Sequence, residues 1–223
     1  PGLGTDPVQV TEGIWKAIDL IRDDYKGTVP LAIWTNEPNI VMSREKEVRT
    51  IDDLKGMKLR VPGAVMARVL EKLGGTPVPM PATKMYESMQ TGVVDGVMTG
   101  STSIKGFKID EVAKSFTTGA PFGVATFFLV MNKAAYDGLS DTEKAAVDKA
   151  SGRELSLRAA KAYGDAAVQG LAAVKADASK TVIELAPAEI AKLTPILEEA
   201  KAAEIAEAEK NGIPAKKILE AMQ

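Results

Sequence analysis

The chain has 223 residues, 45% of them hydrophobic, and a formal net charge of −2, enough apolar content for a sizeable core and no bias toward nucleic acid. It contains no cysteine and no histidine, which excludes thiolate and imidazole catalysis, Cys/His zinc sites and a Ser-His-Asp triad. No apolar run approaches the ~20 residues of a membrane span, and no basic segment followed by an apolar one opens the chain, so a signal peptide is not expected within it.

Val10, Ile14, Ile18, Ile21 and Tyr25 recur at helical spacing, predicting one amphipathic helix over residues 6–25 that Gly27 ends. Residues 29–34 form a β-prone run, residues 35–39 a turn-forming break and residues 40–42 a second run, which reads as strand, bend, strand. Thr50 and Asp53 have the spacing of a capping box. Met57, Leu59 and Val61 alternate with Lys58 and Arg60, predicting a strand that Pro62-Gly63 stops before a helix over residues 64–73. A strand at residues 78–80, a helix at 83–90 and a strand at 93–98 broken by Asp95-Gly96 complete a βαβαβ order. That order implies an α/β fold with a parallel or mixed sheet wrapped by helices.

Phe127 to Met131 is continuously apolar, predicting a strand buried on both faces at the centre of a sheet. Ser140 and Glu143 form a capping box at the head of a pattern that stays helical to about Asp177. At ~1.5 Å per residue such a helix outruns a small domain, so it must bridge two bodies or bend round one. Two lobes are the expectation. An alanine-rich helix over residues 188–210, with a kink or restart at Pro195, and a last helix ending at Met222 close the chain.

No dinucleotide or P-loop glycine motif is present, and acidic pairs such as Asp52/Asp53 and Glu198/Glu199 lie among lysines on helix surfaces, where solvated faces need no catalytic explanation. Arg60 stands at the carboxyl end of a predicted strand and just before a helix, where open α/β sheets place ligands and a guanidinium can grip a carboxylate bidentately. The alternation alone equally allows Arg60 to be the solvent half of that strand. Trp34 can wall a pocket or fill core, and Met98, Thr99 and Gly100 follow a strand edge as binding loop or ordinary turn.

The segment Thr50-Ile-Asp-Asp-Leu-Lys-Gly-Met-Lys-Leu-Arg60-Val-Pro-Gly63 resembles the corresponding stretch of TRAP-transporter extracytoplasmic solute-binding proteins. The stretches Gly74-Gly-Thr-Pro-Val-Pro-Met-Pro81, Met85-Tyr-Glu-Ser-Met-Gln-Thr-Gly-Val-Val-Asp-Gly96 and Phe127-Phe-Leu-Val-Met-Asn132-Lys133 are similar to that family in the same order. The resemblance implies a two-lobed periplasmic-binding-protein-like fold, a long connecting helix and a ligand clamped between lobes. It implies lobe 1 from residues 1–37 and 126–165, lacking βα units that family members carry further upstream, and lobe 2 from residues 38–125 and 166–223.

The family's carboxylate-binding arginine falls on Arg60, its pocket loop on Val97 to Gly100, and a second arginine of sugar-acid binders on or near Asn39. Met98-Thr99 and Asn39 replace polar groups there, so the implied ligand is a small organic acid with one carboxylate. Trp34 and Met98, with Phe122 or Phe127, would supply an apolar wall. The implied protein is a monomeric periplasmic receptor without cofactor that delivers its ligand to membrane permease subunits. An α/β enzyme of small-molecule metabolism and a membrane-tethered sensor are the competing readings.

Overall fold

The computed structural model describes residues 4–223, so the first three positions of the expected first lobe lie outside the described residues. Asp6 caps α1 (Pro7–Lys16) by accepting from Val8 N at 2.8 Å. The expected single helix over residues 6–25 is broken at Ala17, after which come α2 (Ile18–Ile21) and a 3₁₀ turn at Arg22–Tyr25. Its apolar stripe survives the break, because Ile14 and Ile18 still pack on Ile33 beside Ile21 and Tyr25.

The next elements are β1 (Thr28–Thr35), β2 (Asn39–Ser43), β3 (Lys58–Val61), α3 (Ala64–Lys72), β4 (Thr76–Pro79), α4 (Met85–Gln90) and β5 (Gly96–Gly100). Short helices α5 (Ser103–Gly106) and α6 (Ile109–Val112) lead to β6 (Ser115–Thr118). Then come β7 (Thr126–Asn132), α7 (Lys133–Asp137), α8 (Asp141–Ala150), α9 (Arg153–Ala176), β8 (Thr181–Glu184), α10 (Pro187–Lys210) and α11 (Ala215–Ala221). Among these, β6, β8, α5, α6 and α7 are elements that the sequence patterns do not predict. No helix among the described residues is long and apolar enough to cross a membrane.

Six strands form one mixed sheet in the order β4-β3-β5-β2-β6-β8, with β3 parallel to β4 and β5 and β2 antiparallel to β5 and β6. Strand alternation divides its side chains. Val41, Leu59, Val61 and Met98 bury with Leu70, Phe122 and Leu193 on one face, while Ile40, Met42 and Val97 bury with Met89, Ile104 and Phe116 on the other. Each such fully buried side chain contributes about 1.5–3 kcal/mol of transfer free energy.

Four expectations need correction. Asp95-Gly96 does not break β5 but begins it: Asp95 N donates to Lys58 O and its carboxylate accepts from Lys58 N, both at 2.8 Å, which fixes the register beside β3. The Val97 to Gly100 segment is therefore strand, with every residue buried, and no loop. β7 is not a central strand: it pairs antiparallel with β1 alone, and Phe128 and Leu129 are 59% and 48% exposed. Continuous hydrophobicity reported strand type correctly, but among the described residues no third strand covers its other edge. Pro195 does not restart the chain as a separate helix, since α10 runs through it, and the Thr194 hydroxyl bonds Ile190 O at 2.9 Å.

The fourth correction concerns the long helix. The pattern over residues 140–177 splits at Ser151-Gly152, where Gly152 has φ +80° and its N–H bonds Leu31 O at 2.6 Å. What remains is α9, 24 residues long and so about 36 Å from end to end. Its first half packs on α1 and β1, and its second half on α5 and β8, so this one helix joins the small sheet to the large one.

Candidate functional site

Arg60 pairs in register with Val97 of β5, so by alternation Thr99 lies on the Arg60 face and Met98 on the opposite one. The structure follows that parity. Met98 is 0% exposed in the core under α3 and α10, which corrects its expected place in a pocket wall. Arg60, Thr99, Gly100 and Phe127 instead line a cavity of about 600 Å³ between the large sheet, the start of β7 and α9.

Arg60 is 8% exposed, and its only hydrogen bond among the described residues is from Nε to Met80 O at 3.2 Å. Burial alone lowers its pKa, and no carboxylate offsets that loss of water. The guanidinium is thus a largely buried cation facing a cavity, a group that a ligand carboxylate would satisfy bidentately. Thr99 Oγ and Ser103 Oγ stand 3.3 Å apart on the same wall, where they can turn to a ligand oxygen.

Two further lining groups escaped the sequence reading. Asn36, at the exit of β1, accepts from Ala125 N at 2.6 Å and pins the second lobe-crossing segment beside the cavity. Tyr163 comes from α9 and packs on Phe127 with ring centroids 5.1 Å apart. Burial and then the Glu37 charge raise its pKa, against a smaller lowering by the Trp34 indole, so the phenol stays neutral at ordinary pH. No periodicity could have found Tyr163, because only the path of α9 across both sheets brings it here.

Trp34 does not line the cavity. It stacks on Phe127 at 5.8 Å and meets Tyr163 edge-on at 6.1 Å, backing the two rings that do, and among the described residues its buried Nε1 stands beyond good hydrogen-bond geometry to any partner, the Tyr163 phenol included. Asn39 and Phe122 line a separate cavity of about 400 Å³ next to the N-terminus of α3, which shares Pro62, Ala125 and Thr126 with the first. Asn39 Nδ2 donates to Phe122 O at 3.3 Å and Gly123 O at 3.1 Å, so its amide clasps the crossing segment. Parity again explains the separation: Asn39 shares the face of Val41, away from Arg60.

Residues 16–208 match the bacterial extracellular solute-binding protein family 7. A solute-binding protein of Albidiferax ferrireducens is 36% identical over 136 residues, 58% of this chain and 40% of its own length. The C4-dicarboxylate-binding periplasmic protein of Rhodobacter capsulatus is 31% identical over 143 residues, 64% of this chain and 42% of its own. The chain thus spans about two fifths of these curated relatives. A marine metagenome TRAP solute binding protein specific for aromatic acid ligands, solved with metahydroxyphenylacetate, superposes with a TM-score of 0.92 at 26% identity, covering 100% of this chain and 71% of that one. The ordered motifs around Arg60, the two-sheet architecture bridged by α9 and the family match over most of the chain agree: it belongs to the extracellular solute-binding proteins of family 7, which are transport receptors of two-lobed fold and not enzymes.

Proposed function

We propose that the chain forms the ligand clamp of a periplasmic TRAP-transporter receptor, holding a small organic acid by a single carboxylate on Arg60 for delivery to membrane permease subunits. The observation that carries this reading is the buried Arg60 guanidinium, which faces a cavity and has no carboxylate partner. Phe107, Phe127 and Tyr163 give the rest of that cavity an aromatic wall, suited to the ring of an aromatic or similar monocarboxylic acid. A second ligand carboxylate would find no second cation among the described residues lining the cavity and would lose its hydration uncompensated. The aromatic-acid specificity of the metagenome protein supports this class; the dicarboxylate name of the Rhodobacter relative makes the comparison worth testing directly.

In this reading residues 1–37 and 126–165 belong to one lobe and residues 38–125 and 166–223 to the other, with the receptor acting as a monomer. A thermal-shift screen of matched mono- and dicarboxylates tests the ligand class. A monocarboxylate at a hundredfold over its Kd should raise the melting temperature by roughly 5–10 °C for a chain of this size. If succinate or a sugar diacid raises it while no monocarboxylate does, the single-carboxylate reading is wrong.

A further inference from the structure

Glu37 lies in the bend between β1 and β2 and is 8% exposed, yet among the described residues no lysine or arginine pairs with it. Neutral donors hold it instead. Thr102 N donates to Oε1 at 2.6 Å, Ser101 Oγ to Oε1 at 3.3 Å, and the Thr102 hydroxyl stands 2.7 Å from Oε2. The same hydroxyl is 3.2 Å from Tyr163 O, so its single proton is better spent on the carboxylate. Gly100 makes this packing possible, since a Cβ there would collide with the Asn36 amide and the Glu37 carboxylate.

Gly100, Thr102 and Tyr163 line the Arg60 cavity, so the carboxylate sits one layer behind its wall. Gly100 is three residues beyond Val97, the strand partner of Arg60, which places this acidic end roughly 10 Å along the sheet from the arginine. The Tyr163 phenol already registers the charge, as its pKa is raised by Glu37 after burial. A ligand lying with one carboxylate on Arg60 therefore directs its far end toward a buried anion.

We propose that Glu37 is a specificity-determining residue: its buried, cation-free carboxylate behind Gly100 and Thr102 repels a second negative group in the Arg60 cavity and favours a hydroxyl there. This rests on the single-carboxylate reading above and adds the residue that enforces it. At an effective dielectric of about 20, like charges even roughly 10 Å apart change a binding constant by more than about tenfold.

The matched probes are 3-hydroxybenzoate and benzene-1,3-dicarboxylate, which differ by a hydroxyl exchanged for a carboxylate. Calorimetry on the unmodified chain should give at least tenfold preference for the hydroxy acid. Glu37→Gln keeps an acceptor for Thr102 N and Ser101 while removing the charge, and should reduce that preference to about threefold or less. Thr102→Val withdraws a hydroxyl donor that holds Glu37 in its charged form and should narrow the preference, which provides the test should Glu37→Gln not fold. Preference for the hydroxy acid that neither variant changes overturns the role of Glu37 and leaves the single-carboxylate reading standing. Preference for the diacid in the unmodified chain overturns both. If neither probe binds, the aromatic-acid choice fails and Tyr163 carries the test: its absorbance titration, taken as a difference from Tyr163→Phe, should midpoint lower in Glu37→Gln, and an unmoved midpoint overturns the proposal.

Discussion

Folding takes most of Arg60 out of water and gives back one hydrogen bond to Met80 O, with no counter-charge among the described residues. Such a group costs stability in the empty protein and recovers it when an anion arrives. Two consequences separate a binding arginine from a structural one. Arg60→Ala should weaken carboxylate binding by about 30-fold or more, the effect of losing one partner of a buried charge pair worth ~2–5 kcal/mol. The same variant should leave the unliganded melting temperature unchanged or raised, and Arg60→Lys should also bind poorly, because one ammonium cannot reproduce the bidentate fork. Calorimetry and a thermal melt read the two effects separately, and an unchanged Kd with a lowered melting temperature would assign Arg60 to the scaffold.

At the scale of single elements, the sequence was most informative where local chemistry decides the outcome. The capping boxes at Thr50/Asp53 and Ser140/Glu143 form as written, with Asp53 Oδ2 and Glu143 Oε2 each accepting from the cap N–H at 2.8 Å. Alternation puts Arg60 and Thr99 on one face and Met98 in the core only once β5 is seen to run to Gly100 beside β3, where the sequence offered a loop or turn. Tertiary contacts decided the rest. Tyr163 reaches the cavity only through the course of α9, Glu37 becomes a cation-free buried acid only when Ser101 and Thr102 fold against it, and β7 owes its exposure to the absence of a covering strand rather than to its composition. The helix break at Gly152 belongs here too, since φ +80° with ψ −149° is a glycine conformation and no atom crowds the missing Cβ. Gly152→Ala should therefore cost about 1–3 kcal/mol through backbone strain alone. Denaturant unfolding measures it against Ala150→Gly in the last turn of α8, which should cost ~1 kcal/mol or less; equal midpoints would mean that the turn relaxes into ordinary helix.

For the molecule as a whole, the question is what lets two sheets move while one cavity stays aligned. Two segments besides α9 cross between them, and they are tied together: Asn36 N bonds Ala125 O at 3.1 Å, Ala125 N bonds Asn36 Oδ1 at 2.6 Å and Asn39 N bonds Gly123 O at 2.9 Å. These bonds make the crossings one clasp, so a hinge there turns both together. Residues 126–132 cannot share in that hinge, because they form a strand paired with β1 up to Thr35↔Thr126. Bending is left to residues 36–39, to the extended stretch before Thr126 and to α9, which must flex or pivot because it packs on both bodies. A ligand that bridges Arg60 on the large sheet and Phe127 on the small one contacts both sides of that hinge, and binds the closed arrangement better by those contacts. Small-angle scattering of the chain should then show the radius of gyration falling with saturating ligand toward the roughly 17 Å expected of a compact chain of this length. The fall should vanish in Arg60→Ala at the same ligand concentration, since the bridging contact is gone. A profile that ligand leaves unchanged, at a concentration where calorimetry shows the site filled, would mean that the cavity fills without the sheets moving.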